Sequence, residues 1–232
     1  MLSFSILSGD RKLNGDLSRA AVKGGEWLRK QMGDDGVLSL GHSSAYAFHA
    51  LRLVGYSVPK VSKLGAEHLK DEINKTGIDE ISGGRLARYI LGVMSACEDP
   101  RDFNKQDLVA ALKKKMSSYG TVSGFNHPFQ LGLALLAFCT SGEKVDIKDV
   151  RFLVEKLSIS DYSVHNIDTL SLATVALSCI KNEQANSREE QIELGGHVQC
   201  ATYKLKAYQQ LKNGTFGNEA TTSLAVQVRF GL

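Results

Sequence analysis

The sequence has few residues that would interrupt a helical fold. Its 232 residues include only three prolines, Pro59, Pro100 and Pro128, which stand far apart. Because proline breaks helices, its scarcity permits many of them. No apolar stretch approaches the roughly 18 residues that a membrane-spanning helix requires. The 22 glycines are therefore expected to serve as hinges and helix stops.

The sequence also lacks a marked excess of either charge. Lysine and arginine number 28 against 25 acidic residues, and the longest basic run is Lys113–Lys115. This balance argues against a nucleic-acid-binding surface. With 43% hydrophobic residues, the chain can bury a sizeable core, and its length suits one large domain or two small ones.

Cysteine is scarce, and its spacing does not suggest a zinc site. Cys97, Cys139, Cys179 and Cys200 include no Cys-x-x-Cys pair. The even number permits two disulfides without requiring them, and buried thiols on helices are an equal alternative.

The first residues give no sign of a secretion signal. Met1 to Leu7 is a short apolar stretch without a basic region or a clear cleavage site. We expect either an intracellular chain or a mature or truncated form of a secreted protein.

Apolar residues recur at helical spacing along the chain, and no segment is a convincing strand. The spacing predicts ten helices, at 17–32, 43–54, 63–74, 84–97, 105–117, 128–140, 147–157, 166–181, 188–212 and 220–230. Glycines are expected to stop several of them: Gly33, Gly55, Gly77, Gly120, Gly142 and Gly214.

Charged amphipathic helices alternate with helices that are apolar on nearly all sides, which predicts two concentric layers. The apolar segments Phe129–Cys139 and Thr169–Cys179 repeat after 40 residues. A period near 40 residues indicates stacked helical hairpins, as in linear solenoids or closed α/α toroids. In a toroid, the inner helices would point their N-terminal ends at one mouth, where a ligand would bind.

Polar residues stand immediately before each predicted inner helix. Single residues of this kind are most simply helix N-caps. Three of these turns contain a histidine, at His42, His127 and His165. We therefore expect these turns to form the candidate ligand site.

Three segments resemble the transcobalamin and gastric intrinsic factor family. They are His165–Cys179, Phe129–Cys139 and Gly214–Gln227, and the resemblance runs in register from about residue 40 to 230. It implies an all-α fold, an α/α toroid of helical hairpins, followed in the family by a small β-rich domain. By the helix count, we expect residues 17–232 to hold about five of the six hairpins after an N-terminal extension at 1–16, without the β-domain.

The resemblance also implies a function, namely binding and transport of cobalamin by a non-enzymatic, secreted carrier. Cobalamin would be its ligand, a separate β-domain chain or a cell-surface receptor could be a partner, and neither nucleic acid nor a membrane span is expected. His165 would ligate the cobalt. Asp168, Gln130, Asn218, Asn126 and Arg85 would contact the rest of the ligand. The family pattern further pairs Cys139 with Cys179. It pairs the cysteine near Cys97 with the β-domain, so Cys97 would here be free, or would pair with Cys200, which the family pattern does not predict.

Some residues depart from the family pattern, which leaves two alternatives open. Phe129 lacks a hydroxyl that the family carries, and Arg85 replaces a glutamine, so the chain could be a protein-interaction toroid that has lost its vitamin site. A terpene cyclase or prenyltransferase is less favoured, because Asp168 has no second carboxylate beside it and no zinc set is evident.

Overall fold

The computed structural model describes residues 59–116, 125, 127–159 and 167–208. In these residues the chain forms seven α-helices and no strand. The helices are α1 (Pro59–Thr76), α2 (Gly83–Ser95), α3 (Leu108–Met116), α4 (Pro128–Thr140), α5 (Ile147–Ile159), α6 (Ile167–Glu183) and α7 (Arg188–Tyr208). Each overlaps a predicted helix. The helices predicted at 17–32, 43–54 and 220–230 lie outside the described residues.

Two helix starts differ from the predicted ones for local reasons. Helix α1 begins at Pro59 rather than residue 63, because proline is well tolerated in the first helical turn. Helix α3 begins three residues later than predicted. Asn104 and Lys105 have positive φ angles, which exclude them from a right-handed helix, and Asp107 then caps α3 by accepting a hydrogen bond from Ala110 N at 2.8 Å.

The prediction that α2 extends through Cys97 is wrong. The helix ends at Ser95 and Cys97 has a φ of 62°. The N–H of Glu98 donates to the carbonyl of Val93, and that of Cys97 donates to Met94. These are the two hydrogen bonds of a Schellman motif, which places Cys97 at the left-handed position that usually holds glycine.

Two predicted glycine stops are confirmed. Gly77 after α1 and Gly142 after α4 have φ angles of 81° and 72°. The N–H of Gly77 donates to Ile73, while Gly142 and Glu143 repeat the Schellman pattern on Cys139 and Phe138. Glycine adopts this conformation without steric cost, so the sequence can fix both helix ends.

The described residues divide into two compact units. The first contains residues 59–81 and 88–111. Its core includes Leu69, Ile73, Tyr89 and Phe103, each fully buried. The turn before α3 lies against α1, where Lys70 Nζ is 5.1 Å from the centre of the Phe103 ring and Asn104 donates to Asn74.

The second unit contains residues 82–87 and the described residues from 112 onward. Here the predicted alternation of helix types is confirmed. Every residue of α4 from Leu131 to Cys139 is buried, and α6 is buried along most of its length. By contrast, α5 and α7 bury one face each, through Val150, Leu153 and Leu157 and through Leu194, Val198, Ala201 and Leu205.

Helices α4 and α6 lie side by side and run parallel. A Cβ added to Gly132 would lie 3.4 Å from Ala173 Cα. Further along both helices, Cys139 and Cys179 form a disulfide with their Cα atoms 6.2 Å apart. Since both contacts advance in the same direction along the two chains, the N-termini of α4 and α6 lie at the same end.

The disulfide expected from the family resemblance is therefore present. Cys97 and Cys200 are exposed and form no disulfide, so the alternative pairing of these two residues is wrong. Cys97 lies in the turn after α2, and Cys200 lies on the outer helix α7.

At the C-terminal end of the parallel helices α4 and α6, one glutamine holds the neighbouring loop in place. Gln184, which follows α6, accepts a hydrogen bond from Val145 N at 2.9 Å and donates to the carbonyl of Glu143 at 2.8 Å. Because both partners lie in the loop between α4 and α5, the bonds tie this loop to the C-terminal end of α6. The N-terminal ends of α4 and α6 remain available for a site.

Candidate functional site

The N-terminal turns of α2, α4 and α6 meet at one end of the second unit. A Cβ added to Gly84 would lie 2.9 Å from Cγ of Gln130, and one added to Gly83 would overlap the ring of Phe125. These close contacts place the start of α2 against the start of α4, and α6 is parallel to α4. The first turns of three helices, each with the positive end of its helix dipole, are thus brought to the same region.

Two polar residues in this region cap their helices, as the simplest interpretation of the sequence predicts. His127 adopts extended backbone geometry, and its Nδ1 accepts a hydrogen bond from Phe129 N at 3.1 Å. Ser82 Oγ accepts a hydrogen bond from Arg85 N at 3.4 Å. A neutral His127 that accepts through Nδ1 carries its proton on Nε2 and can donate through that atom.

Gln130 lies in the first turn of α4 and has an unsatisfied oxygen. Its side chain packs beside Gly84, and its Oε1 atom is buried and accepts no hydrogen bond from the described residues. A buried carbonyl oxygen without a donor costs about 1–3 kcal/mol. A ligand N–H group placed here would remove that cost.

Asp168 is the second residue of α6, and one of its carboxylate oxygens, Oδ1, like Gln130 Oε1, is buried without a donor among the described residues. A carboxylate in the first turn of a helix is stabilised by the positive end of the helix dipole. The dipole does not, however, give Oδ1 a hydrogen-bond donor. Two acceptors, one neutral and one charged, therefore lie at the same end of two parallel helices.

Arg85 occupies the first turn of α2 and is half-buried. It directly follows Gly84, the residue that touches Gln130. Arg85 thus belongs to the helical turn that packs against the first turn of α4. It is the positively charged member of the predicted ligand set, where the family pattern has a neutral glutamine.

The other predicted site residues lie outside the described residues. They are His165, Asn126 and Asn218. His42, one of the three histidines in the turns before predicted inner helices, lies outside them as well. His165 and Asn126 come a few residues before α6 and α4. Their expected roles remain predictions.

Two buried hydroxyl groups were not expected from the sequence. Ser171 and Ser178 lie on α6, and their Oγ atoms are buried without a hydrogen-bond partner among the described residues. By contrast, Thr174 between them donates to the carbonyl of Leu170 at 2.6 Å. The sequence does not predict these unpaired hydroxyls, because a serine in an apolar helix can usually donate a hydrogen bond to a backbone carbonyl of its own helix.

The described residues contain no cluster of three or more His, Cys, Asp or Glu side chains able to hold a metal ion. In the part of the chain that the structure covers, no helix is both long enough and apolar enough to cross a bilayer. The site as described consists of hydrogen-bonding groups at helix N-termini.

Comparison with family models places the chain among known proteins. Residues 28–231 match the model described as "Eukaryotic cobalamin-binding protein". The chain is 30% identical to transcobalamin-2 of Pongo abelii over 199 residues, covering 82% of this chain and 44% of that protein. It is 30% identical to cobalamin binding intrinsic factor of Mus musculus over 156 residues, covering 64% of this chain and 35% of that protein.

A solved structure shares the fold. The crystal structure of haptocorrin in complex with Cbi matches with a TM-score of 0.68 and 18% sequence identity, covering 95% of this chain and 56% of that one. This likeness confirms the prediction of an all-α chain of the α/α-toroid class. The chain spans less than half the length of the curated relatives named above.

Proposed function

Because the chain belongs to the family of eukaryotic cobalamin-binding proteins, we propose that it binds and carries cobalamin and catalyses no reaction. The observation that supports this most directly is the pair of buried acceptors, Gln130 Oε1 and Asp168 Oδ1, at the N-terminal end of α4 and α6. The corrin ring is edged with amide side chains, whose N–H groups are the donors that these oxygens lack.

The charges and helix dipoles of the site indicate which part of the ligand each residue contacts. Gln130 and Asp168 accept hydrogen bonds from corrin amides. Arg85 and the N-termini of the three helices favour an anion, which in cobalamin is the phosphate of the nucleotide arm. Asn126 and Asn218 add further polar contacts, and His165 ligates the cobalt through a neutral imidazole.

The proposal extends to the biological setting. The protein is a secreted carrier, in keeping with its disulfide between Cys139 and Cys179, a bond that persists in oxidising compartments. A small β-rich domain or a separate chain covers the ligand on the side away from the helices. A cell-surface receptor takes up the loaded carrier. Each of these partners can be sought by capture on the protein loaded with cobalamin.

Titration with hydroxocobalamin tests the binding. We expect heat release in calorimetry and a change in the visible spectrum, because replacing a cobalt-bound oxygen ligand with imidazole alters the absorption. The variant His165→Ala is expected to lose the spectral change while retaining part of the heat. Absence of both signals in the wild-type protein would refute the proposal.

A matched pair of variants tests the polar contacts. Asp168→Asn removes the charge at the proposed site, whereas Asp149→Asn removes a charge from the first turn of α5. Helix α5 starts at the opposite end of the helix pair, after the loop held by Gln184. We expect Asp168→Asn alone to weaken binding, and equal affinities of the two variants would rule out a role for Asp168.

A further inference from the structure

The end of helix α1 carries an Asn-x-Thr sequence, Asn74-Lys75-Thr76. This is the pattern at which N-linked glycans are attached to secreted proteins. A second such sequence, at residues 213–215, lies outside the described residues. The pattern is short and recurs by chance, so alone it identifies no site. The surroundings of Asn74 in the folded chain are therefore what distinguishes a glycan acceptor from a chance match.

Asn74 lies in the last turn of α1 and is exposed. Lys75 is exposed as well, whereas the preceding residue, Ile73, is fully buried. The helix ends two residues later, at Thr76, and Gly77 then takes the left-handed conformation with a φ of 81°. A glycan is bulky and hydrated, so it requires a surface position of this kind.

A hydrogen bond from Asn104 fixes the direction of the Asn74 amide. Asn104 Nδ2 donates to Asn74 Oδ1 at 2.7 Å. Because Oδ1 is held toward Asn104, the nitrogen Nδ2 of Asn74, on the other side of the same planar amide group, is directed away from that contact. Among the described residues, this nitrogen has no hydrogen-bond acceptor. The atom that carries the sugar in an N-linked glycan is thus the one left without a partner.

Asn104 is itself held in a well-defined two-residue turn. Phe103 and Gln106 exchange two backbone hydrogen bonds, each of 3.1 Å, and Asn104 and Lys105 between them have φ angles of 56° and 60°. Positive φ angles at both central residues are typical of a type I′ turn. The ring of Phe103 is fully buried and anchors the turn. The donor to Asn74 therefore belongs to a fixed part of the first unit.

We propose that Asn74 is an N-glycosylation site and that Asn104 holds the glycosylated amide in place. In the modification, Asn74 Nδ2 bonds to the anomeric carbon of an oligosaccharide carried on a lipid diphosphate. The bond between that carbon and the diphosphate oxygen breaks, the lipid diphosphate leaves, and Nδ2 loses one proton. The product retains Oδ1 as an acceptor, so it retains the hydrogen bond from Asn104.

The inference rests on the proposed function in one respect, because only a chain that enters the secretory pathway meets the oligosaccharide donor. It uses no ligand-binding residue. Asn74 and Asn104 belong to the first unit, whereas Gln130 and Asp168 belong to the second. Glycosylation and cobalamin binding can therefore be measured separately on the same protein.

Expression of the full chain behind a secretion signal in eukaryotic cells tests the site. The Asn213→Gln background removes the second sequence, and peptide:N-glycosidase converts a glycosylated asparagine to aspartate, which mass spectrometry locates. We expect a glycan at Asn74 and its loss in Asn74→Gln. A secreted, folded chain without carbohydrate at Asn74 would overturn the inference, and cobalamin binding by that same chain would leave the proposed function intact.

A matched pair of variants at Thr76 separates loss of the site from loss of folding. Thr76→Ser keeps the hydroxyl that the pattern requires, whereas Thr76→Val has nearly the shape of threonine without it. We expect Thr76→Ser to be glycosylated and Thr76→Val to retain less than about a tenth of the wild-type occupancy. Both proteins should be equally helical by circular dichroism. Equal occupancy in the two variants would contradict glycosylation at Asn74.

The role of Asn104 is tested on the folded, glycosylated protein. Asn104→Ala removes the donor to Asn74, and Lys105→Ala alters the adjacent exposed residue as a control. The glycosidase must take the amide out of this hydrogen bond, so we expect Asn104→Ala to speed release of the native glycan about twofold to fivefold. Occupancy should stay unchanged. Equal release rates in the two variants would show that Asn104 does not hold the amide.

Discussion

Gly132 on α4 packs against the backbone of Ala173 on α6, and a Cβ at residue 132 would lie 3.4 Å from Ala173 Cα. These residues are 41 apart in sequence. Helices α4 and α5 form one hairpin, and α6 and α7 form the next. Other contacts between these hairpins join residues with nearly the same sequence separation, from 39 for Val145 and Gln184 to 42 for Arg151 and Glu193. The 40-residue repeat of the sequence thus becomes a series of side-by-side contacts between equivalent positions.

Replacement of Gly132 with a large residue should separate these helices. We expect Gly132→Leu to lower the free energy of unfolding by about 1–3 kcal/mol, because the side chain has no space beside Ala173. Gly196→Ala is the control, since a Cβ there meets nothing. It should be neutral or stabilising by up to about 1 kcal/mol. Chemical denaturation measures both, and equal effects would contradict the close packing.

Loss of the disulfide should destabilise the second unit. The bond between Cys139 and Cys179 closes a loop with a sequence separation of 40 residues. Chain-entropy arguments give a loss of about 4 kcal/mol for a loop of this size. We expect the double variant Cys139→Ser/Cys179→Ser to unfold at lower denaturant concentration than wild type. Reduction should weaken the wild type but not the double variant, and a reduction-sensitive double variant would argue against this assignment.

Glycine at residue 97 should stabilise the chain. Cys97 has the left-handed backbone conformation that costs a residue with a side chain about 1–2 kcal/mol. Glycine removes most of this cost but gains freedom in the unfolded state, so we expect Cys97→Gly to add about 0.5–1 kcal/mol. Cys97→Ser, which retains the β-carbon, is the control. An equal gain in both variants would show that the thiol, rather than the backbone, is responsible.

A small side chain at residue 84 should disturb the ligand site without unfolding the protein. In Gly84→Ala, the new Cβ would lie 2.9 Å from Gln130 Cγ, so the glutamine must move. Losing one hydrogen bond to the ligand should weaken cobalamin binding about fivefold to tenfold. Calorimetry measures the affinity, with Gly196→Ala as the control. Unchanged affinity in Gly84→Ala would show that Gln130 does not contact the ligand.

The ion pair between α5 and α7 should make a pH-dependent contribution to the stability of the folded protein. Arg151 donates two hydrogen bonds to Glu193, at 2.9 and 3.0 Å, and these bonds hold the pKa of Glu193 below its usual value. Because the folded-state pKa is lowered, the stabilisation is present above the unfolded pKa and disappears as the pH falls through the folded one.

Thermal unfolding across the acid range tests this contribution. At pH 7, Glu193→Gln should lower the melting temperature by about 2–3 °C at most, because the pair is largely exposed. The difference from wild type should shrink as the pH falls below the usual range of a glutamate carboxyl, and vanish below the lowered pKa of Glu193. Glu155→Gln, an exposed acid on α5, serves as the control. A difference that persists at low pH would mean that the ion pair is not its source.

Much of the helical architecture was predictable, because its signals are local. Apolar spacing predicted every described helix, and Gly77 and Gly142 marked helix ends, since a left-handed residue there suits glycine. Cys97 illustrates the limit of this reasoning. It fills the same position with a residue that gives no such signal, and only the hydrogen bonds to Val93 and Met94 show where α2 ends.

The sequence by itself determined the helical class, the 40-residue repeat and, through family resemblance, the pairing of Cys139 with Cys179. These depend on residue order and spacing, which are fixed along the chain. The tertiary structure alone decided that the oxygens of Gln130 and Asp168 are buried without donors, and that Asn104 bonds to Asn74. Both depend on which segments pack together, and two hydrophobic residues of equal hydropathy can lie on either side of a helix.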